Sequence, residues 1–148
     1  MEASAAKRVR VLFVCRENAC RSQMAESFAR QLGGECVEAY SAGSAPRGSV
    51  DAGAIAVMQE KGIALDRHRS KGLDALPFKE WDVMVTLGCG DACPSVAAKH
   101  RVDWQIPDPK NLPLEQYRDV RDKIEKQVKD LLQRFRLTGG GLRDGTPL

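Results

Sequence analysis

Histidine is scarce in this chain, with two in 148 residues. Neither His68 nor His100 has a serine or cysteine in local register, so nothing suggests a histidine-based nucleophilic triad. Aromatic residues make up 5% of the chain, and no Lys/Arg block is interleaved with them, so nucleic acid is not an expected partner. No apolar run approaches the length needed to cross a bilayer, and none points to a membrane. The opening stretch, residues 1–7, lacks the positive-then-apolar order of a secretory signal, which reads as a cytoplasmic protein. In that compartment five cysteines, an odd number, argue for reactive or buried thiols and against a disulfide framework. Cys89 and Cys93 are four residues apart with no second cysteine pair or His-x3-His nearby, a weak zinc signature. No metal and no tightly bound cofactor is expected.

What is present is one domain's worth of alternating strand and helix. A short apolar run, Val11-Leu12-Phe13-Val14, stops at Cys15, and Arg21 follows six residues later at the head of an amphipathic stretch. This puts a thiol and a guanidinium on one tight loop between a buried strand and a helix N-terminus. Backbone N–H groups in such loops favour an anion, and the same field favours a thiolate. Asn18 tolerates the unusual dihedrals of a tight loop, and Ser22 is a suitable N-cap. The loop Arg16-Glu17-Asn18-Ala19-Cys20-Arg21-Ser22 therefore reads as an oxyanion cradle around Cys15. The net charge of +3 is compatible with a small anionic ligand.

Strand one is expected over 8–15 and the first helix over 22–32, stopped by Gly33-Gly34. Residues 36–41 alternate like a strand, 50–61 read as a helix stopped by Gly62, 81–87 as an apolar strand, and 102–106 as a shorter strand. Leu114, Tyr117, Val120, Ile124, Val128, Leu131 and Phe135 recur at helical spacing, with a charged solvated face opposite. The fold expected is a single-domain open parallel α/β sheet of about four strands over 8–136, with helices on both faces. Residues 1–7 and 138–148 read as flexible tails. Such sheets bind ligands beyond the carboxyl ends of their strands, where strand order reverses, which is where Cys15 lands.

Asp108 stands between Pro107 and Pro109, so its carboxyl is held in a stiff loop after the last strand. An acid is needed opposite a nucleophile to protonate a departing oxygen, and Asp108 is the candidate. Cys89 and Cys93 follow the 81–87 strand, which ends on the same edge as strand one, and can approach Cys15. In a helical turn the two would be within disulfide reach of each other. Cys36 falls in a strand pattern and reads as core. Cys20 either packs beneath the loop or shields Cys15 by reversible disulfide formation.

The string from Val14 to Glu26 closely resembles the low-molecular-weight tyrosine phosphatase superfamily, and within it the thiol-dependent arsenate reductases. The phosphatase branch usually has proline directly after the Arg-Ser pair, whereas this chain has Gln23-Met24. Tyr40-Ser41-Ala42-Gly43 and Asp108-Pro109 match the superfamily as well, and the likeness spans Arg10 to Phe135. The resemblance implies a flavodoxin-like sheet, Cys15 as nucleophile, Arg21 as oxyanion clamp and Asp108 as general acid. It further implies a reductase that turns arsenate into arsenite, with phosphate and sulfate as competing anions, a thiol relay through Cys89 and Cys93, and a monomer. The external reductant it implies is thioredoxin, otherwise glutathione–glutaredoxin or mycothiol. The alternative is a phosphomonoester hydrolase using Cys15, Arg21 and Asp108, with water in place of the second thiol.

Two departures from the family pattern stand out. Leu87 is followed by Gly88, which delays the next cysteine by one place and shortens the gap to Cys93-Pro94. Several reductases resemble one another in a potassium site whose aspartate follows a serine; here Ser70 is followed by Lys71. The expectation is that the Lys71 ammonium stands in for that cation.

Overall fold

The computed structural model describes residues 8–65, 68–88 and 96–135. The expected tails therefore lie outside the described residues, as do Cys89 and Cys93. Four strands form one parallel sheet: β1 Val9–Cys15, β2 Val37–Gly43, β3 Glu80–Leu87 and β4 Ala97–Trp104. Their spatial order is β2-β1-β3-β4, so the chain steps from β1 to one side and later returns to build on the other. This is the flavodoxin-like arrangement, with its reversal of direction between β1 and β3. Among the described residues three α-helices accompany the strands: α1 Arg21–Gly33, α2 Ala52–Gln59 and α3 Leu114–Arg134.

The central strands are apolar on both sides, as a parallel sheet covered on both faces requires. Val11, Phe13, Val83 and Val85 pack with Met24 and Phe28 of α1, Val57 and Met58 of α2, and Ile124 and Val128 of α3. Leu12, Val14, Trp81 and Met84 face the other way and are covered by Leu73, Leu76 and Phe78, in and beside the 3-10 turn Leu73–Ala75. Helical cover thus lies on both faces, heavy on one and a single turn on the other among the described residues.

Three sequence expectations need adjustment. The fourth strand starts at Ala97 and ends at Trp104, where 102–106 was expected. It lies on the sheet edge, and five of its eight side chains are exposed, so its apolar signal is weak. Cys36 belongs to the 3-10 turn Gly34–Cys36, with β2 beginning at Val37. Ser22 does not cap α1: Cys20 holds the N-cap position, with no side-chain cap hydrogen bond.

Candidate active site

The segment between β1 and α1 wraps around the carboxyl end of the sheet, and its carbonyl groups are turned outward. The carbonyls of Cys15 and Arg16 accept from the backbone N–H of Ser44 and Ala45, at 3.2 and 2.7 Å. That of Glu17 accepts from Ser70 Oγ at 2.6 Å, and that of Asn18 from Gln23 Nε2 at 3.1 Å. Those of Ala19 and Cys20 accept from the N–H of Asp51 and Met24, at 2.8 and 3.0 Å. Across a trans peptide the carbonyl and the following N–H point in opposite directions, and no peptide bond here is cis. Six consecutive carbonyls held from outside therefore turn the amides of residues 16–21 inward, as a concave nest for an anion. The uncapped first turn of α1 adds further unpartnered donors at the same place.

Asn18 is what closes the loop so tightly. Its φ of 53° lies in the left-handed region that asparagine tolerates better than most residues. Its side-chain oxygen accepts from Gln23 Nε2 and from the Lys71 backbone N–H, both at 2.9 Å. Its Nδ2 donates to Ser22 Oγ at 2.7 Å, and that hydroxyl lies 2.9 Å from Cys15 Sγ. With its oxygen held by Asn18, the Ser22 hydroxyl can turn its own proton to the sulfur. This is where the expected capping hydroxyl goes. Gly43, at the end of β2, is required by the same packing, because a Cβ there would come within 2.7 Å of the Arg16 carbonyl oxygen and 2.8 Å of the Asn18 nitrogen.

Arg21 is buried, with 8% of its side chain exposed. Its Nη1 donates to the Ile106 carbonyl at 3.0 Å, and its Nη2 lies 3.8 Å from Asp108 Oδ2. Its Nε is buried with no hydrogen-bond partner among the described residues, a donor that an oxyanion in the nest would satisfy. Asp108 is half-exposed, and its Oδ1 accepts from the Lys110 N–H at 3.0 Å and faces Cys20 Sγ at 3.9 Å. Asp108, far away in sequence, thus meets the loop of Cys15 and Arg21 at one edge of the sheet.

Cys20 lies under the loop. Burial pushes its thiol up to about 12, against a lowering contact from Tyr117. Tyr117 is raised too, chiefly by burial, while its hydroxyl donates to Asp51 at 2.7 Å. Lys71 is half-buried, with its ammonium 3.3 Å from Ser41 Oγ and 3.8 Å from Glu26 Oε1. Burial lowers its pKa, and Glu26 opposes that shift. The ammonium thus stands against Glu26 and Ser41, while the Lys71 backbone N–H holds Asn18 Oδ1.

Sequence reasoning missed several contributors. His68, which has no serine or cysteine in local register, has Nδ1 3.1 Å from Gln23 Oε1 and so belongs to the support of the loop. His100, by contrast, is an exposed residue of β4 with its ring 5.2 Å from that of Phe135. Gly88, with φ of 81°, leaves the space through which the Arg21 guanidinium passes. Glu17 pairs with Lys110 across the mouth, a contact between residues 93 apart that no local spacing reveals.

The model of the low molecular weight phosphotyrosine protein phosphatase family matches residues 10–138. A glutaredoxin arsenate reductase from Synechocystis is 36% identical over 129 residues, spanning 85% of this chain and 98% of the relative. A solved arsenate reductase in its phosphate-binding state superposes with a TM-score of 0.78 at 36% identity, over 85% of this chain and 98% of that one. A thioredoxin-dependent arsenate reductase from Corynebacterium glutamicum superposes at 0.73 with 28% identity, over 90% of this chain and 64% of that one. The likeness runs along nearly the whole chain, in sequence and in fold alike: the chain belongs to the low molecular weight phosphotyrosine protein phosphatase family, on the side that holds the arsenate reductases.

Proposed function

We propose that this chain reduces arsenate to arsenite, with Cys15 as nucleophile. The observation that carries the reading is the inward-facing nest around Cys15 Sγ, with the unpartnered Nε of Arg21 beside it. Arsenate, a tetrahedral oxyanion like phosphate, takes the amides of residues 16–21 and the Arg21 guanidinium as donors. The Cys15 thiolate attacks arsenic, Asp108 delivers a proton to the departing oxygen, and water leaves a covalent Cys15–arsenic adduct. A second thiolate then attacks the Cys15 sulfur. The S–As electron pair passes to arsenic, which leaves as arsenite, and a disulfide takes its place. With Cys89 as the second thiol, Cys93 next attacks Cys89, frees Cys15 and leaves a Cys89–Cys93 disulfide for an external dithiol to reduce. Thioredoxin is the first donor to test; the relatives bear the names of both a glutaredoxin and a thioredoxin enzyme.

The test is arsenate-dependent NADPH oxidation by the purified protein, coupled to thioredoxin and thioredoxin reductase and repeated with the glutaredoxin system. Sustained turnover that Cys15→Ser abolishes is expected, with Cys93→Ser limited to at most one turnover. Rates should be equal in sodium and potassium buffers, because Lys71 supplies the cation. Hydrolysis of phosphomonoesters with no arsenite formed under either donor would overturn the reading in favour of a phosphatase.

A further inference from the structure

A carboxylate is out of place in a loop that cradles an anion, yet Glu17 stands in the middle of this one. Its charge is met from two sides. Lys110 Nζ lies 3.1 and 3.2 Å from its two oxygens, and Arg47 Nη1 lies 3.5 Å from Oε1. Arg47 is anchored in turn, its backbone N–H donating to Ser70 Oγ at 2.8 Å and its guanidinium 3.9 Å from Asp51. Lys110 is two residues beyond Asp108, and its own N–H holds Asp108 Oδ1. The flanking prolines stiffen the segment from Pro107 to Lys110, so it moves as a body. The other side-chain contacts that hold Asp108 are long, 3.8 Å to Arg21 and 3.9 Å to Cys20. Behind the segment Arg21 holds the Ile106 carbonyl at 3.0 Å, and at its far end the Glu17–Lys110 pair is a short ion pair that fastens it to the loop around Cys15.

We propose that Glu17 and Lys110 form a latch that closes the Asp108 loop over the oxyanion nest, making Glu17 a positioning residue that acts through Asp108. The proposal rests on the reading of Asp108 as general acid. It also gives the misplaced charge a consequence. Glu17 repels the bound anion and occupies two cations that would otherwise attract it, so tighter oxyanion binding is given up for a fixed acid.

The two effects separate in a Glu17→Gln variant. Loss of the latch lowers kcat for arsenite formation in excess dithiothreitol by about three- to fivefold, the size expected for a partly exposed ion pair. Loss of the negative charge tightens binding of inorganic phosphate, read by calorimetry, by about threefold. Lys110→Met should lower kcat equally without tightening phosphate binding, and the double variant should be no slower than either single one. In an Asp108→Asn background, Glu17→Gln should change kcat no further. Independent, multiplying effects of Glu17→Gln and Lys110→Met would overturn the latch. So would a wild-type kcat for Glu17→Gln when Asp108→Asn is slow, a result that leaves the general-acid reading standing. A wild-type kcat for Asp108→Asn would overturn the acid reading itself, and the latch's mode of action with it.

Discussion

At the scale of single residues, burial fixes the protonation of the second thiol of the loop. Cys20 is buried, and this pushes its thiol up to about 12 from its ordinary value of 9.0. It therefore keeps its proton near neutral pH, where a thiol is a poor nucleophile. The same shift has a sign in stability. The unfolded chain releases this proton near pH 9 and the folded chain near pH 12, so between those values the folded state holds the extra proton. Stability attributable to Cys20 is complete below pH 9 and falls above it, by up to about 1.4 kcal/mol per pH unit. Tyr117, raised by the same burial, adds a loss of the same sign at higher pH. Urea midpoints of wild type and Cys20→Ala at pH 8, 9 and 10 should therefore converge as pH rises, whatever offset the lost packing gives at pH 8. Parallel curves would mean that Cys20 titrates alike in both states.

At the scale of elements, the site is made by how strands end and helices begin, and legibility in the sequence follows that division. β1 and β3 were plain because both of their faces are buried, which makes the apolar run continuous. β4 was misplaced because an edge strand with exposed side chains carries no such run. The start of α1 was misread for a chemical reason: Ser22 looks like a cap, but its hydroxyl is drawn to Asn18 and Cys15. Cys15, Arg21 and Asp108 were legible by residue type and local context, whereas Gln23–His68 and Glu17–Lys110 join residues 45 and 93 apart and exist only in the fold. Gly88 belongs to the same class. A Cβ there would come within 2.5 Å of Arg21 Nη1 and 3.2 Å of the Ile106 carbonyl oxygen, the two atoms that bond to each other. Its φ of 81° adds a backbone penalty of about 1–2 kcal/mol for any side chain. Gly88→Ala is expected to displace the guanidinium and weaken phosphate binding at least tenfold. Binding at the wild-type level by calorimetry would show that Arg21 has another route into the nest.

At the scale of the molecule, strand order gathers these pieces. Because β1 and β3 are neighbours while their connections leave in opposite directions, a crevice opens at their carboxyl ends. The Cys15 loop after β1, Gly88 after β3 and the Asp108 loop after β4 meet there, so an anion held at this point would touch segments that fold from distant parts of the chain. A ligand that binds only this assembled state stabilises the whole domain, by about 2.7 kcal/mol at one hundred times its Kd. For a domain of this size that is a rise in Tm of roughly 5–10 °C. Phosphate and arsenate should both produce it. Exclusion of multivalent anions from protein surfaces also raises Tm, and does so without a site. Arg21→Ala distinguishes the two causes, because it removes the buried clamp and leaves the surface almost unchanged. A saturable rise in the wild type that Arg21→Ala loses is the expected result. An equal, unsaturable rise in both proteins would mean that the nest does not hold an oxyanion.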